Sequence, residues 1–304
     1  MAWYYIVIIF IASNIFVGIL SFFIVGYFAY KSVCFSKDKV SIEKQRLENI
    51  DDGFDTSELE KELEPMMIQC DDKYILHGYL KVVDVKKFVV ICHGHGTNHV
   101  WSLPYAKMFI NLGYSIFVFD QRGHGDNDNK KASTMGYKEA KDLNLIISML
   151  KEKFGQDIEV GLLGASMGGT TVLLETQYRQ DISFIIADCA YSSLRKMYED
   201  LLNKYHAPTK LLLPIINLCF KIFNKFKFSD VDVSKHIKNS HVPLLLIHGM
   251  SDDLIMPNNA SLIYELANEP KEIHFFKGAT HAKSFNMNSN EYTKIVSVFI
   301  NKKQ

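Results

Sequence analysis

Six short apolar runs divide this chain: KKFVVIC (86–92), YSIFVFD (114–120), IEVGLLG (158–164), SFIIAD (183–188), VPLLLIHG (242–249) and EIHFFKG (272–278). Each has the length of a strand. Most are apolar on successive residues, which suits strands covered on both faces. Helical patterns lie between them. YAKMFINLG (105–113) ends on the helix-stopping Gly113, and 135–154 places Leu143, Ile146, Ile147 and Leu150 on one face. Residues 167–179, 258–268 and 290–302 read as further helices. The alternation predicts an α/β fold, with a mostly parallel central sheet and helices on both faces. YILHGYLKV (74–82) alternates instead and is expected as an antiparallel edge strand.

One segment interrupts the pattern. Residues 191–240 separate two strands by more than a usual crossover and include LLLPIINLCFKIFNKFKF (211–228). A small helical lid is expected there, over the C-terminal ends of the strands, where such sheets bind ligands. The main domain is assigned to 66–304, and the remainder of the chain has a different character.

The first thirty residues carry no charged side chain before Lys31. A bilayer core takes about 20 apolar residues as helix. Residues 3–28 satisfy this, with Trp3, Tyr4 and Tyr5 at one end and Tyr27 and Tyr30 at the other. A basic leader and a short apolar core, the marks of a cleaved signal peptide, are absent. Residues 1–30 therefore read as a single transmembrane anchor. Lys31, Lys37 and Lys39 follow it, so the positive-inside rule places the remaining chain in the cytoplasm. Residues 31–65 are charged and mostly polar, and read as a tether, helical in part, with solvated charges.

Lys plus Arg and Asp plus Glu number 34 each, which gives no basic footprint for nucleic acid. Five cysteines at 34, 70, 92, 189 and 219 show no CxxC spacing and no disulfide framework. Reduced thiols agree with a cytoplasmic-facing domain.

The sharpest motif is Gly164-Ala165-Ser166-Met167-Gly168, a G-x-S-x-G between a predicted strand and a predicted helix. There the chain turns tightly, projects the serine and sets a helix N-terminus beneath it. A serine nucleophile needs a base, and the base an orienting acid. In chain order Ser, acid, His, the candidates are Asp252 and Asp253 in LLLIHGMSDDLIMP (244–257), then His281 in FKGATHAKS (276–284). All lie just beyond strand ends and can converge. Asp188, after the strand following the serine, is another candidate acid.

From about residue 65 onward the chain resembles the α/β-hydrolase superfamily. More narrowly, it is similar to membrane-anchored serine hydrolases related to the S33/S9 peptidase-like and BEM46-like groups. The motifs carrying this are HGHG, DQRGHGDND, GASMGG, ADCAYSS, HGMSDDLIMP and GATHAKS, in that order. The resemblance implies an α/β-hydrolase fold, with Ser166 as nucleophile, His281 as base and Asp252 as acid. The family's acid segment reads HGxxDxxVP, and this chain has one residue more before proline. Counting from His248-Gly249 selects Asp252; counting back from Pro257 selects Asp253. Asp252 is preferred because Ile255 then falls at the valine position. The resemblance also implies two oxyanion donors, the backbone N–H groups of His95 and Met167. It implies no metal or organic cofactor.

The implied activity is acyl transfer to water, with a small-molecule or lipid-like ester as substrate. Peptidase or amidase action is the alternative within the same fold. Two rivals differ in class. A catalytically silent, membrane-tethered binding protein would show a broken triad, and this one is intact in sequence. A metal-dependent hydrolase would use His93, His95 and His99 in ICHGHGTNHV (91–100), with Asp120 and His124 beyond. That run lacks the aspartate of an H-x-H-x-D-H loop, and Gly94 and Gly96 suit close backbone packing better than ligand display.

Overall fold

A computed structural model describes residues 2–35, 39–127 and 132–302. The strands are β1 (Glu64–Gln69), β2 (Ile75–Lys81), β3 (Lys87–Cys92), β4 (Ser115–Phe119), β5 (Glu159–Ala165), β6 (Phe184–Asp188), β7 (Leu244–Gly249) and β8 (Lys271–Phe276). They form one sheet in the order β1-β2-β4-β3-β5-β6-β7-β8. β2 pairs antiparallel with β1 and with β4, and all later pairings are parallel.

The continuous apolar runs follow from this layering. On β3, Phe88, Val90 and Cys92 join one buried cluster, while Val89 and Ile91 join the other. A strand buried on both faces needs apolar residues at every position. β2 has one covered face only, so its burial alternates. It is not the edge strand its alternation predicts. β1, which begins at Glu64 within the charged segment, takes the edge.

The helices are α1 (Ala2–Cys34), α2 (Ile42–Asp51), α3 (Ser57–Lys61), α4 (Leu103–Asn111), α5 (Tyr137–Phe154), α6 (Met167–Leu174), α7 (Leu194–Lys204), α8 (Thr209–Cys219), α9 (Asn258–Leu266), α10 (Ser284–Met287) and α11 (Ser289–Asn301). α5 lays Leu143, Ile146, Ile147 and Leu150 on one face of the sheet. Glu139 receives the N–H groups of Thr134 (2.8 Å) and Gly136 (3.0 Å) and so fixes where α5 starts. α4 and α11 cover the other face through Phe109, Tyr292, Val296 and Phe299. Each such fully buried side chain contributes about 1.5–3 kcal/mol.

From residue 39 to 65 the charged stretch carries α2 and α3 and docks on the rest of the protein. Ser41 caps α2, accepting from the Lys44 N–H (3.2 Å). Gln45 and Asn49 are buried, and Asn49 Nδ2 donates to the Val100 carbonyl (2.8 Å). Its charges stay at the solvent-facing surface, some of them paired there: Arg46 with Glu60 (2.6 Å), and Asp52 with Lys283 (2.7 Å). The insertion 191–240 holds α7, α8, a π turn (Phe220–Asn224) and three short 3-10 turns. α1 continues past residue 30, and its last turns pack on this insertion through Gly26, Tyr30 and Cys34.

Candidate active site

Ser166 sits where β5 turns into α6, with φ 55° and ψ −118°. A side chain adopts the left-handed region only where surroundings enforce it. Here they do. A Cβ on Gly164 would lie 2.2 Å from the Gly168 carbonyl oxygen, and one on Gly168 would lie 2.0 Å from that of Cys92. The glycines let β3, β5 and α6 close on one another, and the serine is pushed out at the crest. Its own N–H donates to the Asp188 carbonyl (2.9 Å), tying the turn to β6.

Ser166 Oγ lies 2.9 Å from His281 Nε2, and His281 Nδ1 lies 2.7 Å from Asp252 Oδ2. His281 comes from the loop after β8, and Asp252 from the loop after β7. Asp252 is almost fully buried. Its Oδ1 accepts the N–H groups of Leu254 (3.0 Å) and Ile255 (2.9 Å), and His248 Nε2 stands 3.3 Å from Oδ2. Burial opposes ionisation, but the hydrogen bonds from His248, His281 and the Ile255 backbone outweigh it and hold this carboxyl below the usual range.

The extra residue in the acid loop is thereby accounted for. Asp253 points outward and pairs with Lys204 (2.9 Å). Asp188 is buried beneath the site, where its Oδ1 accepts from Ser284 Oγ (3.3 Å) and not from His281. Burial pushes its carboxyl up to about 6. Neither alternative acid reaches the imidazole.

The HGHG turn crosses above Ser166. A Cβ on Gly94 would lie 3.6 Å from both the Ser166 Cβ and the Ala165 carbonyl oxygen. Among the described residues the His95 N–H makes no backbone hydrogen bond. Met167 opens α6, so its N–H has no partner a turn earlier in that helix. The dipole end of α6 adds to the positive potential there.

The histidines of that turn do not gather as a metal set. His93 Nε2 accepts the Gln121 N–H (2.9 Å), and its Nδ1 donates to the Gly94 carbonyl (2.6 Å). His124 Nε2 accepts the Gly96 N–H (3.0 Å), and its Nδ1 donates to the Arg122 carbonyl (2.8 Å). These bonds occupy the lone pairs a metal would need. The His95 ring packs edge-on against His124, with centroids 5.0 Å apart. Burial lowers His95 to about 4, lowers His93, and lowers His124 well below its ordinary value. His99 faces elsewhere, with Nδ1 3.0 Å from Asp120. Asp120 also accepts the N–H groups of His99 (2.7 Å) and Asp126 (2.9 Å), so residues 120–127 form a tightly bonded turn. The metal reading on His93, His95 and His99 is thus contradicted by geometry.

A cavity of about 180 Å³ opens beside His281, lined among others by Gln45, Asn49, Thr97, Trp101, Tyr105 and Phe285. α2 forms one wall, a contribution the sequence did not signal. Gln45 and Asn49 are polar, four residues apart, and leave no apolar stripe to read. His248 was also missed as a partner of Asp252, although its place in the HG pair after a strand was visible.

The sequence pattern of the family described as "Serine aminopeptidase, S33" matches residues 83–225. The protein YqkD of Bacillus subtilis (strain 168) is 30% identical over 279 residues, covering 88% of this chain and 91% of its own length. The chain belongs to the α/β-hydrolase family. This hydrolase is also 24% identical to the protein bem46 of Schizosaccharomyces pombe over 231 residues, 74% of this chain and 72% of that one. Among solved structures, the Pyrococcus furiosus esterase Pf2001 superposes with a TM-score of 0.65. It is 22% identical, and the match covers 81% of the hydrolase and 95% of the esterase. At that identity the likeness is one of fold.

Proposed function

We propose that this hydrolase cleaves carboxylic esters through an acyl-enzyme on Ser166. The observation carrying the proposal is the unbroken hydrogen-bonded chain Ser166 Oγ–His281–Asp252. His281 Nε2 takes the serine proton as Oγ attacks the carbonyl carbon. The N–H groups of His95 and Met167 receive the oxyanion, an arrangement worth several kcal/mol in such sites. His281 then gives its proton to the leaving oxygen and later draws one from the water that releases the acid. Asp252 keeps Nδ1 protonated and stabilises the imidazolium. An ester suits the site because its alkoxide leaving group needs little beyond one proton from His281.

A second reading is an aminopeptidase. It is favoured by the family's description and by Glu48, an acidic side chain at the cavity beside His281 that could meet a substrate ammonium. p-Nitrophenyl esters of increasing acyl length, set beside aminoacyl p-nitroanilides, separate the two. Esters are expected to turn over faster, with loss of all turnover in Ser166→Ala. Preference for the anilides would overturn the ester reading.

We also propose that α1 anchors the hydrolase in a membrane, with the catalytic domain facing the cytoplasm. The helix has 33 residues and mean hydropathy 2.6 over its most apolar window. Lys31 follows the apolar span with no basic side chain before it. In right-side-out vesicles the domain should resist external protease; digestion from outside would contradict this orientation.

A further inference from the structure

α1 changes character along its length. Trp3 (72% exposed) and Phe10 (67%) stand clear of the protein, whereas Tyr30 is 3% exposed. A helix of 33 residues spans about 50 Å, and a hydrocarbon core takes about 30 Å of it. Counting from Trp3, the core is crossed near Phe22. The next turn, Phe23 to about Tyr27, then lies at headgroup depth, and there Gly26 meets the insertion; Phe28 to Cys34 continue the same contact on the aqueous side.

They pack chiefly on α8. A Cβ on Gly26 would lie 2.6 Å from Ile215 Cγ2, so the two helices touch backbone to side chain. Tyr30 stacks on Phe223 (5.4 Å) and its hydroxyl donates to Asn224 (3.0 Å). Ile215 belongs to a stripe, Leu211, Ile215, Leu218 and Ile222, at helical spacings of four, three and four. The buried face of α8 is a different one, carrying Leu212, Leu213 and Ile216. Beside the α1 contact, Leu211 (56%), Leu218 (46%), Ile222 (43%) and Phe223 (43%) stay exposed. Lys210, Lys221, Lys225 and Lys227 flank them, exposed and without a carboxylate partner among the described residues.

We infer that the exposed face of α8 and the following π turn is a second membrane contact, seated in the interfacial layer of an anionic bilayer. The inference rests on the reading of α1 as a membrane anchor. Continuity is the argument: a face joined to the end of a spanning helix cannot leave the surface that helix enters. Its apolar stripe flanked by lysines suits acyl chains below and anionic headgroups around. The insertion is thereby held against the bilayer at two points, the α1 contact and the exposed face of α8.

The test uses the full chain in vesicles of phosphatidylcholine with about one quarter phosphatidylglycerol. All five native cysteines are buried, so an environment-sensitive maleimide dye reports on an introduced site. The sites are Leu211→Cys and Leu218→Cys on α8, Phe16→Cys on α1 and Asn301→Cys on α11. Lipid-borne nitroxides should quench the dye at 211, 218 and 16, and aqueous iodide the dye at 301. Replacing Lys210, Lys221, Lys225 and Lys227 by Gln should lower lipid quenching at 211 and 218 by about twofold, leaving 16 unchanged. Iodide quenching at both 211 and 218, with lipid quenching at 16, would overturn the inference and spare the anchor. Shielding at 211 and 218 from both quenchers, rising with protein density, would mean that a second copy covers the face, and would overturn it too. Failure of lipid quenching at 16 would remove the anchor and the inference together.

Discussion

His281 and the group His93, His95 and His124 place the same ring in opposite circumstances. His281 is partly exposed, with one nitrogen on a hydroxyl and the other on a carboxylate. Both partners exchange or stabilise a proton, so the ring can cycle. His93 and His124 are fully buried and His95 is largely so, within and beneath the HGHG turn. There the nitrogens of His93 and His124 are bonded to backbone groups whose protons do not move. Desolvation then holds the three rings neutral. In the proposed mechanism one imidazole is set for chemistry by its partners, and the others shape the backbone that faces it. Partner identity separates the two regions, whereas histidine count would have pointed to the wrong one.

The largest expected effect lies on the first side of the comparison. His281→Ala should lower kcat/KM for a p-nitrophenyl ester by about 10⁴-fold. His124→Ala should act on the protein's stability, visible as a lower melting temperature. Comparable losses of intrinsic turnover in two well-folded variants would erase the distinction.

Asp252→Asn should cost about as much as His281→Ala, because an amide cannot favour the tautomer with Nδ1 protonated. Asp253→Asn should stay within about twofold of wild type, since it breaks only an exposed pair with Lys204. Steady-state kinetics on the two variants check the choice between neighbouring acids.

On the second side, pH is the probe. Burial lowers His95 to about 4, against about 6.5 in an unfolded chain. Between those values the unfolded chain binds a proton here that the folded one refuses, so stability rises with pH through this window. The contribution is fully present above about 6.5 and lost as pH falls through about 4; over the window it amounts to about 3 kcal/mol. In urea unfolding in detergent, wild type should lose more stability than His95→Gln as pH falls from about 6.5 to about 4, the difference in slope being the His95 contribution. An unchanged slope would mean that the ring is hydrated in the folded protein.

A smaller loss than for either triad partner is expected at His248. Removing its contact with Asp252 by His248→Ala should lower kcat about tenfold with KM little changed, near 1.4 kcal/mol. A rise in KM alone would place His248 in substrate binding instead.

What the sequence made legible follows the same division. The parallel sheet was readable because strands buried on both faces must be apolar throughout, as at Phe88–Cys92. The strand-turn-helix setting of Ser166 was readable because Gly164 and Gly168 are needed for close approach. The choice between Asp252 and Asp253 was not settled by counting, since one inserted residue shifts either count. It takes the direction of each side chain, one to His281 and one to Lys204. β1 and the docking of α2 were hidden, although a partly helical tether was expected there. Their docking uses backbone pairing and buried amides, such as Asn49 on Val100, and these leave no periodic apolar signal. The extension of α1 into the insertion was hidden as well, because an apolar helix reads alike in lipid and against protein.

The central claim is that Ser166 is the nucleophile, activated by His281. Labelling by a fluorophosphonate probe tests it most directly, because the probe bonds only to a serine whose oxygen is already activated. Wild type should label rapidly, His281→Ala slowly, and Ser166→Ala not at all. Equal labelling of wild type and Ser166→Ala would contradict the account.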